Sequence, residues 1–465
     1  MKNGLRNQLI GSKKFYKHLL YVAIPIMIQT GITNVVGMLD NIMVGQIGTN
    51  QMTGVSVVNQ LIFVFNLCIF GGVSGAGIFT AQYYGRKDYK GVRDTLRFKL
   101  IIGCVIFASA LLVFLLFHDD LILLFLHEDG VGDVQLAKQY ANRYLLVMYF
   151  EMLPFAISQI YAGTLRETGE TMLPMKAGIM AVAVNLIFNY ILIFGKFGAP
   201  ALGVMGAAAA TVLSRLVELL IIVIYSHTHT QRFPFFVEVY ADLRIPSALV
   251  KAIVVKGSPL LLNEALWAAG QTMLVQNYSI RGLSVVAALN ISNTISNVFN
   301  VSFIAMGEAI AIILGQELGA GKADVKEDSY RLTFFSVMVC LFMGVLLFAV
   351  APFFPEIYET EDVVKHLATQ LIMISAVFMP VYAYENAAYF TLRSGGKTLI
   401  TFVFDSVFVW VFSVPAAYIL TRYTNLDVGM CFLLVQCIDF IKVGIGFCLV
   451  RKGSWIQNLT KLTAI

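Results

Sequence analysis

LIFVFNLCIFGGVSGAGIFTAQYYG, residues 61–85, returns in outline as ISNVFNVSFIAMGEAIAIILGQELG, residues 295–319. Val64-Phe65-Asn66 recurs as Val298-Phe299-Asn300, Gln82 as Gln316 and Gly85 as Gly319, and upstream Pro25 recurs as Pro259, all at one offset of 234 residues. A second block, Thr164-Leu165-Arg166 with Gly169 and Thr171, comes back as Thr391-Leu392-Arg393 with Gly396 and Thr398, offset by 227. Each copy carries about six apolar segments in the same order. A chain doubled in this way reads as a membrane transporter built from two repeats, with its substrate site expected between them.

Composition agrees with that reading. Of the 465 residues 58% are hydrophobic and 13% charged, and the mean hydropathy is +0.77. A soluble domain carries about 25% charged residues, so a water-facing surface cannot be covered here. The six cysteines (Cys68, Cys104, Cys340, Cys431, Cys437, Cys448) lie in apolar stretches without metal-ligand spacing, which suits buried reduced thiols. The net charge of +5 comes from basic residues gathered in alternate loops. It reports orientation in a membrane, not nucleic-acid binding.

Spans of 20 or more mostly apolar residues fall at 18–44, 54–82, 98–118, 138–163, 173–195 and 201–226, then at 250–279, 284–316, 331–352, 366–390, 398–420 and 428–450. They are too long and continuous for barrel strands. The expected fold is an all-α integral membrane protein: twelve transmembrane helices in two six-helix lobes related by a parallel internal repeat. Residues 1–232 make the N-terminal lobe, 233–249 a linker with Pro234 and Pro246, and 250–465 the C-terminal lobe. Residues 3–18 are polar and basic and read as a strip at the membrane surface, ahead of a retained first helix.

Loop charge alternates with the helices. Arg86, Lys87, Lys90, Arg93, Arg97 and Lys99 fill the segment 83–99, Arg232, Arg244 and Lys251 follow in 227–251, and Lys322, Lys326 and Arg331 in 317–331. Between them come Asp119, Asp120, Glu128 and Asp129, and later Glu356, Glu359, Glu361 and Asp362. Lys/Arg excess marks the cytoplasmic side, so both termini are expected there.

Ionisable side chains inside a membrane cost about 2.5–3.5 kcal/mol at the centre on insertion scales, and each calls for a reason. Asp40, in NVVGMLDNIMVGQIG, has no basic residue within two helical turns. Such a carboxylate suits proton exchange, or a hard monovalent cation if oxygen-rich neighbours join it. The lesser alternative is that it caps or hydrogen-bonds a neighbouring helix. Asn185 and Asn189 are one turn apart on one helix face, and Thr211 lies in the next helix; amides and hydroxyls coordinate cations but also bridge helices.

In the second half Glu264, within SPLLLNEALWAAG, is the isolated carboxylate, and Glu308 and Glu385 are further cavity candidates. Glu151, Asp405 and Asp439 carry less weight. Arg215 and Lys442 correspond under the 227-residue offset, each with an acid three residues away, Glu218 and Asp439. Local ion pairing is the expected role of both.

Motifs for catalysis are missing. There is no glycine-rich phosphate loop, no His-Glu-x-x-His and no Cys-x-x-Cys. An enzyme is not expected, nor ATP as an energy source, nor any cofactor; an ion gradient remains.

The chain resembles the multidrug and toxic compound extrusion (MATE) family. The resemblance rests on Pro25 to Gly48 (with DNIMVGQIG), TAQYYGRKD (Thr80–Asp88), GTLRETGET (Gly163–Thr171), NLIFNYILIFG (Asn185–Gly195), LGVMGAAAATVLSR (Leu202–Arg215), LGQELGAGK (Leu314–Lys322) and FTLRSGGKT (Phe390–Thr398). It extends over roughly 15–450. It implies two lobes around a central cavity, and export of organic, mostly cationic or amphipathic compounds in exchange for Na⁺ or H⁺. It also implies a multi-pass protein of the bacterial inner (plasma) membrane, in contact with lipid and expected as a monomer, with no metal beyond a possible Na⁺ at Asp40.

Residue by residue, the resemblance makes Asp40 the helix-1 acid, Asn185 the helix-5 asparagine and Thr211 the helix-6 hydroxyl. Asn189 stands where many prokaryotic members have a second aspartate. Trp267 and Tyr382 stand where one branch has acids in helices 7 and 10; here the carboxylates are Glu264 and Glu385. A rival reading is a lipid or lipid-linked oligosaccharide flippase of a related fold. It calls for a basic cavity, against which the acidic and aromatic bias of the intramembrane residues argues.

Overall fold

The computed structural model describes residues 10–126 and 133–461. Among the described residues it holds twelve long helices and no strand. They are α1 (Lys13–Gly45), α2 (Thr49–Gly85), α3 (Tyr89–Leu123), α4 (Val134–Glu167), α5 (Met172–Phe194), α6 (Val204–Thr228), α7 (Ser247–Ser279), α8 (Leu283–Ala320), α9 (Val325–Val350), α10 (Asp362–Ser394), α11 (Thr398–Tyr423) and α12 (Val428–Lys452). Eleven of the described helices are apolar and long enough to cross a membrane. The remaining one, α7, has the length, 33 residues, but its apolar run is interrupted by Asn263, Glu264 and Gln271. The protein is a multi-pass, all-α membrane protein.

Large apolar side chains face outward, as lipid permits and water does not. Leu116 is 64% exposed on α3 and Phe342 63% on α9. Three cysteines expected to be buried, Cys104, Cys437 and Cys448, lie on this outer surface instead, while Cys340 and Cys431 are buried. A thiol is apolar enough for either place.

Several helices outrun the apolar spans. α3 begins at Tyr89, so Arg93, Arg97 and Lys99, which read as loop, lie in its first turns. Hydropathy detects only the part in contact with lipid, whereas the helix start is set by its cap: the Asp88 carboxylate accepts from the Gly91 amide at 3.0 Å. Lys99 is 1% exposed, bonds Thr164 Oγ1 at 3.1 Å and pairs with Glu167 of α4. Of the basic N-terminal strip, residues 3–9 lie outside the described residues, as do Glu128 and Asp129 of the acidic loop, and the strip's last residues open α1.

The helices group into two compact units. Among the described residues, one comprises 28–80, 88–126 and 133–251, the other 10–27, 81–87 and 252–461. In the first unit α5 and α4 pack on α6, and α3 on α4, around Val58, Phe65, Leu145, Met152 and Ile193. The segment after α6 folds back onto α3, where Arg97 donates to the carbonyls of Val239 and Glu238, each at 2.8 Å.

In the second unit α10 packs on α8 and α9, and the start of α1 joins α8 around Leu19, Val22, Ile310 and Leu314. The last turn of α2 crosses the end of α8 here. A Cβ added at Gly85 would strike the Gln316 carbonyl, and one at Gly319 would strike the Gln82 carbonyl. The repeated Gln and Gly positions therefore mark one symmetric helix crossing, where backbones meet without side chains between them.

Candidate functional site

Prolines interrupt the helices that carry or adjoin the polar groups: Pro25 in α1, Pro154 in α4, Pro259 in α7 and Pro380 in α10. Each removes a backbone hydrogen bond and loosens the ladder one turn earlier. In the first unit four expected residues come together. Asn189 Nδ2 on α5 donates to Asp40 Oδ1 on α1 at 2.6 Å and is 3.1 Å from Asn185 Oδ1. Asn185 Nδ2 reaches Thr211 Oγ1 on α6 at 3.4 Å. Turning the Asn185 amide over puts its nitrogen 2.9 Å from Asp40 Oδ1 and 3.1 Å from Oδ2.

Asn185 and Asn189 are buried, at 6% and 1% exposure, whereas Asp40 and Thr211 are half-buried. Asn189 Oδ1 is buried without a hydrogen-bond partner. The cluster thus offers two carboxylate, two amide and one hydroxyl oxygen around a single negative charge, a donor set that suits a proton or a hard monovalent cation.

Next to it sits a charged group that the sequence marked only in part. Arg215 pairs with Glu218 at 2.9 Å, as the local spacing predicted, and also with Glu151 of α4 at 3.4 Å. Its guanidinium lies 5.3 Å from the centre of the Phe155 ring. Glu151, given little weight from sequence, is 2% exposed. Tyr144, buried on α4, donates to Asn59 Oδ1 on α2 at 3.2 Å; neither residue was singled out from sequence, since a tyrosine and an asparagine are common in such helices.

In the second unit the pairing differs from expectation. Lys442 on α12 forms its ion pairs across helices, to Asp405 of α11 at 3.0 Å and Glu385 of α10 at 3.4 Å, not to Asp439 on its own helix. The reason lies in α11, which passes through two π-helical stretches, Val403–Val407 and Val409–Ser413. Such bulges widen the turn and re-aim side chains. They bring Ser406 within 2.8 Å of Asn263 Oδ1, Trp410 Nε1 within 2.9 Å of the Leu266 carbonyl, and Asp405 within 3.1 Å of Asn263 Nδ2. Glu264 and Glu308 are half-buried and do not share the Lys442 pairs.

The arrangement of helices and repeats has a counterpart among known proteins. The family model MatE matches residues 25–191 and again 259–419, one match in each half. The chain belongs to the MatE family. Among curated MatE relatives, the probable multidrug resistance protein YoeA of Bacillus subtilis is 24% identical over 87% of each chain. The probable multidrug resistance protein NorM of Thermotoga maritima is 25% identical over 88% of this chain and 86% of its own.

Among solved MatE structures, an outward-facing MATE transporter of the MOP superfamily superposes with a TM-score of 0.81 at 19% identity, covering 98% of both chains. A mutant of the Vibrio cholerae MATE transporter VcmN gives 0.84 at 17% identity, over 97% of this chain and 98% of that one. The two-lobed, twelve-helix fold of the family is the fold of this chain. MatE proteins are transporters, not enzymes, and the chain is a member of a multidrug efflux family.

Proposed function

We propose that this protein exports organic, mostly cationic or amphipathic compounds from the cytoplasm in exchange for Na⁺ or H⁺, with Asp40 as the coupling carboxylate. The single observation that carries this reading is the Asp40–Asn189–Asn185–Thr211 cluster, drawn from three helices onto one acid. Ion binding at Asp40 neutralises it and favours the state that releases substrate outside; substrate loading from the cytoplasm favours the other. Each ligand acts through its different affinity for the two states.

The alternating loop charges support cytoplasmic termini, and the apolar helices together with bacterial relatives support a place in the inner (plasma) membrane. Glu264, Glu308 and Glu385 remain candidates for lining the substrate path in the second half, and the functional unit proposed is a monomer in lipid.

The test is ethidium efflux from proteoliposomes with a Na⁺ gradient and a pH gradient imposed separately. Export driven by one gradient names the ion. No export under either, from folded protein, overturns the multidrug reading and favours the lipid flippase.

A further inference from the structure

Lys442 stands in the middle of α12 and is 7% exposed, a place where a cation on a membrane helix needs partners. Acids of two other helices supply them, Asp405 Oδ1 of α11 at 3.0 Å and Glu385 Oε2 of α10 at 3.4 Å. The centres of the Phe404 and Phe408 rings lie 5.3 and 5.9 Å from the ammonium nitrogen, so two aromatic faces add their attraction for positive charge. Asp405 is fixed in turn. Its Oδ2 accepts from Asn263 Nδ2 of α7 at 3.1 Å, and Ser406 Oγ holds that amide by donating to Asn263 Oδ1 at 2.8 Å. The same Asn263 nitrogen is 3.4 Å from the Tyr389 hydroxyl. All of these residues belong to the second unit.

Four helices therefore converge on one ammonium. A bond that only ties α12 to a neighbour needs one acid. Here a second carboxylate is brought in, and its other oxygen, Glu385 Oε1, is buried with no hydrogen-bond partner, in a residue 8% exposed. The π-helical stretch Val403–Val407, which turns Asp405 toward Lys442, is a departure from the α-helix of a kind frequent at functional sites. Carboxylate oxygens around a single positive charge are the donors that a hard monovalent cation takes. The two units differ in what answers their acids. Asp40 accepts from a neutral amide, whereas Asp405 and Glu385 meet a cation that the chain carries itself.

We propose that Glu385 and Asp405 form a monovalent-cation site and that the Lys442 ammonium fills it. A cation tied to the backbone acts at an effective concentration that free ions do not match. No free ion then binds in the second unit while the lysine is in place, and the site opens to a Na⁺-sized cation when that side chain is cut short. The proposal does not rest on the export reading, since it concerns binding alone.

The experiment measures equilibrium binding of ²²Na⁺ to full-length protein in detergent, with Asp40→Asn as the parent so that the acid of the first unit is silent. The parent is expected to bind no ²²Na⁺. Lys442→Ala on that parent should bind one equivalent, and n-propylammonium, which restores the atoms removed from the lysine, should displace it. Adding Glu385→Gln should weaken the ²²Na⁺ binding tenfold or more. No binding by folded Lys442→Ala overturns the proposal. So does ²²Na⁺ binding by the parent that Glu385→Gln abolishes, because the lysine would then not fill the site. If Lys442→Ala does not fold, Lys442→Gln, whose amide can still bond Asp405, takes its place, and the parent measurement needs neither. Absence of ethidium export by the wild type would remove the export reading and leave the binding result standing.

Discussion

Asn189 donates its amide hydrogen to Asp40 at 2.6 Å, so the acid of α1 is oriented by a neutral residue of α5, not by a cation or a second acid. This makes Asp40 the one group in the cluster able to change charge.

Asp40→Asn keeps the shape of the side chain and removes the charge. Gradient-driven ethidium export by this variant is expected to fall to the level of empty liposomes, with the elution profile on size exclusion unchanged. Full export by Asp40→Asn would discard the coupling assignment.

Asn189→Ala removes a hydrogen bond to a charged acceptor, worth roughly 1.5–3 kcal/mol. Export should persist, but the concentration of coupling ion giving half-maximal rate should rise about tenfold or more. The same half-maximal concentration as wild type would mean that Asn189 supports the helix pair and not the ion.

Lys442→Met leaves the buried Glu385 and the half-buried Asp405 without their cation. Breaking a buried pair by removing one partner costs about 3–5 kcal/mol, so the thermal unfolding midpoint in detergent should drop clearly. Adding Asp405→Asn to Lys442→Met should lose less than the sum of the two single variants, because the partners are coupled. Strict additivity would mean that the pair contributes nothing.

Gly319→Ala forces a methyl group into the Gln82 carbonyl. Overpacking of this kind costs about 1–3 kcal/mol, and Gly85→Ala, the repeat-related change, should cost a similar amount by the same unfolding measurement. A loss at one position and none at the other would contradict the symmetry of the crossing.

Much of this was legible in the sequence because a membrane leaves few choices. Apolar runs of 20 or more residues can only be helices there, and the recurrence of Gln82 and Gly85 as Gln316 and Gly319 exposed the duplication that the crossing explains. Asp40, Asn185, Asn189 and Thr211 were recognisable because polar groups in lipid are conspicuous.

What sequence did not reveal depends on geometry between helices. Lys442 reads as a partner of Asp439 by spacing alone, since nothing local signals the π-helical turns that aim Asp405 at it. The first turns of α3 read as loop because Arg93, Arg97 and Lys99 are charged, although Lys99 is among the most buried side chains of the chain. The hydrogen bonds of Gln82 to the Ser394 carbonyl and the Leu459 amide are also invisible locally, because these partners lie more than 300 residues away.

The neutral amide beside Asp40 has an electrical consequence. With one titratable or cation-binding charge in the cluster, one monovalent ion enters per cycle on the proposed reading. Exchanged for a singly charged organic cation, it moves no net charge, and the membrane voltage neither helps nor hinders the cycle. Exchanged for a neutral compound, the same ion carries its charge across alone, and each 100 mV adds about 2.3 kcal/mol of drive. On that reading, the residue at position 189 sets which substrates can draw on voltage.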